Sequence, residues 1–408
     1  MLKLNHNTPR DAHLFDPGPK RLLALDGGGV LGVIEIAFLE EIQALLRRRT
    51  NNDELVLADY FDLIGGTSTG AIIATALAVG YTAAQVKSLY FDWGPAIFSR
   101  PLSRPIPGMG PRFNAGALAS RLRSALGERQ LQSEDLRTGL AIIAKRIDTG
   151  APWVLTNNPR AKYWNDPPPD PATGKIPYVG NKRYKLRDLL RASSAAPYYF
   201  SPKRMTIVEG EPDGLFVDGA VSNHNSPALQ LLMLASLKGY GFSWPLGSER
   251  LMIISIGTGW IRPRITLNAW KNMLPALLGV EALMSVSWDA QVSNLKLLQW
   301  LSGPRRPWII NSEVGSLEGE LMGGAQQRML HFARYDIALE SSWLKQHLDV
   351  DLTEDAARAL NRFTDPAVME PTYALARRAA KLQVDNADFP STFDLPQPVS
   401  DAELEVAI

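Results

Sequence analysis

Three short stretches of this chain carry residue types that can do chemistry together. Gly66-Thr67-Ser68-Thr69-Gly70 fits the pattern G-x-S-x-G and lies between an apolar run and an apolar helix pattern. That context suits a sharp strand-to-helix turn that lifts a serine hydroxyl out as a nucleophile. Glycines at 66 and 70 remove bulk beside the turn, and a helix N-terminus after Ser68 favours developing negative charge. Asp26-Gly27-Gly28-Gly29-Val30-Leu31-Gly32 also follows a strand pattern and opens a helix. Consecutive glycines leave backbone amides free to converge on an anion, as the tetrahedral intermediate of acyl transfer requires. The alternatives are a structural turn and a nucleotide loop. The spacing G-x-G-x-x-G occurs as Gly27, Gly29 and Gly32, but no G-x-x-x-x-G-K-[ST] exists anywhere in the chain.

A serine hydroxyl needs a partner to take its proton. Asp218-Gly219-Ala220 follows an apolar run and supplies a carboxylate. Of the five histidines, His224 stands six residues later, within Asn223-His224-Asn225. From residue type alone the two are equal candidates for the base. The bland readings are a turn aspartate holding its own backbone and a loop histidine with one local hydrogen bond. Asp11 and His13 form no cluster with metal-ligand spacing, so no metal or other cofactor is expected.

The elements that must position these residues alternate. Strands are expected at 21–26, 60–65, 140–146 and 251–256, and a brief apolar run at 215–217. Helices are expected at 33–47, 69–79, 114–126, 186–194 and 226–237. Strand, turn and helix repeat twice at the start, which argues for an α/β sheet with helices on its faces. Residues 91–113 and 165–180 are rich in proline and glycine, so no regular element should last there. From 267 to about 382 the pattern reads as helical, and 383–408 as a tail. One domain over 15–382, with its motifs within 21–260, is simpler than two.

Composition narrows the function. The 408 residues hold 43 basic and 42 acidic side chains, so net charge gives no argument for nucleic acid. Cysteine is absent, which rules out disulfides, thiolate metal sites and a cysteine nucleophile. The N-terminus lacks an apolar signal core, so the cytoplasm is the expected compartment, with peripheral membrane contact or secretion without a standard signal peptide left open. The uncharged run 63–86 is broken by glycines and too short in its helical part to span a bilayer.

The three motifs in this order resemble the patatin-like phospholipase family, whose pattern joins D-G-G-G-x-[RK]-G, G-x-S-x-G and D-G-[AG]. The resemblance covers about residues 21–260. It implies a three-layer α/β/α sandwich around a mostly parallel sheet, with additional C-terminal helices. It implies a Ser68–Asp218 dyad without histidine, an oxyanion hole from Gly27, Gly28 and Gly29 with Thr69 as a further donor, and a glycerolipid or lysolipid substrate. Leu31 departs from the family, which has Arg or Lys there, and puts the loop geometry or headgroup preference in doubt. Trp93, Phe98, Arg100, Arg104 and Met109 suit a lid or substrate rim, or equally a loop packed over the sheet. The helical run 274–301, with Trp288 and Trp300, reads more readily as core packing than as a membrane-facing cover. A homodimer contact or a regulatory small ligand has only the length of the C-terminal part behind it.

Overall fold

The computed structural model describes residues 8–99, 111–261, 275–323 and 328–395. In chain order the elements begin with α1 (Pro9–Phe15), β1 (Lys20–Leu25), α2 (Gly32–Thr50), α3 (Leu57–Tyr60), β2 (Leu63–Thr67), α4 (Thr69–Ala78), α5 (Ala83–Ile97) and α6 (Ala115–Leu126). They continue through β3 (Gly139–Arg146), β4 (Ala151–Thr156), α7 (Leu186–Ser193), β5 (Lys203–Met205), β6 (Gly214–Asp218), α8 (Ala228–Ser236) and β7 (Leu251–Ile256). Last come α9 (Pro275–Ser302), β8 (His331–Tyr335), α10 (Ser341–Leu348), α11 (Glu354–Leu360) and α12 (Met369–Gln383).

Side-chain alternation along the central strands produces three layers. Leu23, Leu25, Ile64, Ile142 and Ile254 enter one core, with α2, α4 and α7 packed on it. Leu22, Ala24, Leu63, Ala141 and Ile253 enter the other, beneath α8 and the end of α9. Successive residues of a strand face opposite sides, so a strand buried on both faces must be apolar throughout. β7 (LMIISI) meets that demand, and all six residues are buried.

Among the described residues the eight strands order as β5-β6-β3-β2-β1-β7-β8, with β4 on the other side of β3. The sheet is mixed. β1 pairs in parallel with β2 and β7, β2 with β3, and β7 with β8. β3 pairs antiparallel with β4 and β6, and β5 with β6.

Several expectations are corrected. Residues 91–97 are helical: α5 runs to Ile97 with Pro95 inside it. A proline so near the C-terminal end removes one helical bond, and burial of Trp93 and Ile97 holds the last turn in place. The stretch 331–335 is a strand rather than part of a helical region, and it extends the sheet beside β7. β4 and β5 are short strands that the sequence pattern did not announce. The tail expected from residue 383 is docked as far as 395: Phe389 and Phe393 are each 1% exposed, and Arg49 pairs with Asp394 at 2.7 Å. Residues 396–408 lie outside the described residues. Among the described residues no helix is long and apolar enough to cross a membrane.

Candidate active site

The site forms where two strands meet end to end along one edge of β3. β2 runs parallel to β3 and stops with Thr67 opposite Ile143. β6 runs antiparallel and stops with Asp218 opposite Ala144, the next residue. β4 occupies the other edge over this stretch. The residue after β2 and the last residue of β6 must therefore face each other.

Ser68 is that residue after β2. Its backbone takes φ 53° and ψ −120°, a conformation that L residues rarely adopt and that strain at functional sites often accompanies. The turn leaves no room beside it. A Cβ on Gly66 would lie 2.2 Å from the Gly70 carbonyl carbon, and one on Gly70 would lie 2.3 Å from the Leu25 carbonyl oxygen. The Ser68 amide donates to Ser193 Oγ at 2.8 Å, and Ser193 Oγ donates to the Ile143 carbonyl at 2.6 Å. The turn is thus tied to β3 through a side chain on α7.

The Ser68 hydroxyl donates to Asp218 Oδ2 at 2.6 Å. Asp218 Oδ1 accepts the Ala220 amide at 2.9 Å. The carboxyl is 3% exposed. Burial pushes its pKa up to about 6, against the opposing pull of the Ser68 and Ala220 hydrogen bonds. A carboxylate so raised is a better proton acceptor than one in water.

His224 is also buried, and burial lowers its pKa, with Lys145 adding to the effect. Its Nδ1 has no hydrogen-bond partner among the described residues. What His224 contributes to the turn is its carbonyl, which accepts the Thr67 hydroxyl at 2.6 Å. No hydrogen bond joins its ring to Ser68 or Asp218.

The glycine loop is held by its carbonyls. Gly27 O accepts Thr258 Oγ1 at 3.0 Å and Asn225 Nδ2 at 3.3 Å. Gly29 O accepts Thr69 Oγ1 at 3.0 Å and the Tyr90 hydroxyl. The Val30 amide donates to Phe363 O at 2.8 Å. One expected anion donor is removed: the Gly27 amide donates to the Asn225 carbonyl at 3.0 Å. The amides of Gly28, Gly29 and Thr69 have no acceptor among the described residues. Leu31, where a cation was expected from the resemblance, is 3% exposed and packs into the core above α2.

Beneath the loop lies a buried ion cluster. Arg334 reaches Asp26 Oδ2 and Asp336 Oδ2, each at 2.7 Å, and donates to Ser255 Oγ at 2.8 Å. Burial alone would lower the Arg334 pKa, but the two carboxylates outweigh it and hold the guanidinium charged. Burial raises Asp26, and Arg334 opposes that rise. Glu35, fully buried in the first turn of α2, has no hydrogen-bond partner on either oxygen, and burial pushes its pKa well up.

The expected rim fares differently residue by residue. Trp93 is 9% exposed and lies in an apolar crevice with Ile72, Tyr90 and Leu122, so it is core rather than rim. Phe98 packs edge-on against Phe113 and Phe200. Arg100, Arg104 and Met109 lie outside the described residues. His13 pairs with Asp62 rather than with Asp11, and no group of three or more acidic or histidine side chains among the described residues is placed to hold a metal. Ser193, Tyr90 and Arg334 carried no local sequence signal. Asn225, beside His224, and Thr258, in the Gly257-Thr258-Gly259 that ends the strand at 251–256, lay within stretches the sequence singled out.

Comparison with known proteins bears on this arrangement. The family model described as patatin-like phospholipase matches residues 23–232, which include all three motifs. Patatin group A-3 and Patatin-01 of Solanum tuberosum are each 30% identical over 253 residues, covering 58% of this chain. The match spans 60% of the length of each of those relatives. The crystal structure of VipD from Legionella pneumophila overlaps 90% of this chain and 67% of its own, at a TM-score of 0.33 and 13% identity, too distant to bear on the site.

Proposed function

The chain belongs to the patatin-like phospholipase family, and on that premise we propose that it hydrolyses acyl esters of glycerolipids or lysolipids through Ser68 and Asp218. The observation that carries this reading is the 2.6 Å hydrogen bond from the Ser68 hydroxyl to a desolvated carboxylate, beside backbone amides without acceptors.

In the proposed reaction Asp218 takes the Ser68 proton as Oγ attacks the ester carbonyl carbon. The carbonyl oxygen becomes an oxyanion and is held by the amides of Gly28 and Gly29, with Thr69 as a further donor. Collapse of the tetrahedral species breaks the ester C–O bond. The alcohol or lysolipid leaves with the proton from Asp218, and the acyl group stays on Ser68. Asp218 then takes a proton from water, whose oxygen attacks the acyl-enzyme. The fatty acid departs and Ser68 regains its proton. Every proton passes through one carboxyl group, and no metal or histidine enters the balance.

The test is incubation of the full chain with mixed glycerolipids, followed by mass spectrometry. Wild type should release free fatty acid with the matching lysolipid or alcohol, and Ser68→Ala should release none. Equal release by the two proteins would refute the reading, as would a wild type inert on phospholipids, lysolipids and neutral glycerides alike.

A further inference from the structure

Strand alternation places a second set of chemical groups on the face away from Ser68. Ala24, Ile253 and Phe332 face the core beneath α8 and α9. By the period of two, Asp26, Ser255 and Arg334 share that face at the carboxyl ends of their strands. Above them lies a cavity of about 80 Å³, walled by Trp260, Trp288 and Trp308. A single water needs roughly 10–15 Å³ of such space, so a small organic group fits. Neither Ser68 nor Asp218 lines it.

The walls are indoles. The Trp260 ring lies 5.7 Å from Trp288 and 6.0 Å from Trp308. The floor carries two carboxylates against one guanidinium. Both terminal nitrogens of Arg334 are engaged, one with Ser255 and the other with Asp26 and Asp336. Asp336 Oδ1 already accepts the amides of Gly259 and Ile337. Asp26 Oδ1, on a side chain 1% exposed, has no hydrogen-bond partner; against the rise from burial, the neighbouring Ser226 hydroxyl, which also lines the cavity, draws the Asp26 pKa down. An anion would find the guanidinium taken and excess negative charge around it. A cation would find an uncommitted carboxylate oxygen and aromatic faces, which attract positive charge most strongly when desolvated.

We infer that this cavity is a binding site for a small organic cation of the quaternary-ammonium type, recognised by the indoles of Trp288 and Trp308 and the free oxygen of Asp26. The same chemistry is offered by a soluble cation and by the choline headgroup of a lipid. An occupant would touch the frame of the glycine loop, because Asp26 precedes Gly27 and Thr258, which also lines the cavity, holds the Gly27 carbonyl. The inference does not rest on the esterase reading, since its test measures binding rather than turnover.

The full chain is titrated by calorimetry with tetramethylammonium and choline chlorides at constant ionic strength. Saturable binding is expected, weakened at least about tenfold for the neutral choline analogue 3,3-dimethylbutan-1-ol. Trp288 is half-buried on α9, so Trp288→Leu should fold, as circular dichroism will check, and should lose about tenfold in cation affinity. Asp26→Asn should lower cation affinity while leaving the neutral analogue unaffected. A parallel arm compares phosphatidylcholine with phosphatidylglycerol vesicles. A Trp288-dependent preference for the choline lipid assigns the site to a headgroup, and binding of the free cations without that preference assigns it to a soluble cation. Absence of both signals, equal binding of the neutral analogue, or indifference to Trp288→Leu overturns the inference.

Discussion

The Ser193 hydroxyl accepts the Ser68 amide hydrogen at 2.8 Å and donates its own hydrogen to the Ile143 carbonyl at 2.6 Å. β2 ends opposite Ile143, so this side chain continues the sheet's hydrogen bonding for one residue past the last strand pair and fixes the turn that carries Ser68. Ser193→Ala leaves a buried donor and a buried acceptor unpaired, which costs about 1–3 kcal/mol. We expect that loss in urea unfolding, with kcat for a soluble ester down roughly tenfold or more and KM changed less. Lost stability with unchanged kcat would limit Ser193 to a structural role.

The proposed dyad makes unequal demands on three side chains. Ser68→Ala and Asp218→Asn should each cut acyl hydrolysis by about three orders of magnitude or more, on the scale of other nucleophile and base deletions. His224→Ala should stay within a few-fold of wild type, because its ring bonds to neither member of the pair. Steady-state rates on one soluble ester decide it. A collapse in His224→Ala would move the base to histidine.

The pH profile follows from Asp218. Its pKa is pushed up to about 6 by burial, and only the ionised carboxylate can take a proton. Activity should therefore rise with pH through about 6 and level off above it, a single ascending limb in kcat/KM. A limb centred near the ordinary aspartate value would mean that burial does not act as described.

The same shift bears on stability, with the opposite sign. The folded carboxyl has a higher pKa than the unfolded one near 3.8, so folding favours its protonated form. This group stabilises most below the unfolded value, and the contribution is lost as pH rises through about 6. Asp218→Asn is uncharged throughout. It offers one oxygen where the carboxylate offers two, so its absolute stability can start lower. Relative to wild type it should gain about 1–1.5 kcal/mol between pH of about 5 and about 7.5, read from urea unfolding at both. A constant difference would refute the shift.

Gly28 tests the anion cradle. A Cβ there would lie 2.3 Å from Thr258 Oγ1, the group that fixes the Gly27 carbonyl. Gly28→Ala should displace the loop and lower kcat by about 10²–10³, the scale of losing one oxyanion donor. Full activity in this variant would remove the Gly28 amide from the proposed site.

Much of the layer order was legible because it rests on local rules. Apolar runs of strand length, glycine turns and helical spacing marked β1, β2, β3 and β7 and the helices α2, α4, α7 and α8, and from them the α/β class. The misreadings lie where tertiary burial overrides local pattern. Pro95 stays helical because Trp93 and Ile97 are held in the core. The five residues of β8 become a strand because β7 offers an open edge, and the segment around Phe389 docks because a pocket exists for it.

The sequence by itself determined which groups this chain possesses: a serine on a glycine-flanked turn, an aspartate after a strand, a glycine-rich loop, and no cysteine. Residue type and neighbours suffice for that. Only the tertiary structure decided that Ser68 meets Asp218 and not His224, that the Gly27 amide is spent on Asn225, and that Arg334 underlies the loop. Those outcomes depend on two strands ending at adjacent residues of β3 and on contacts between segments as far as 308 positions apart. Local spacing carries no record of such distances, because they are set by how the sheet packs its strands.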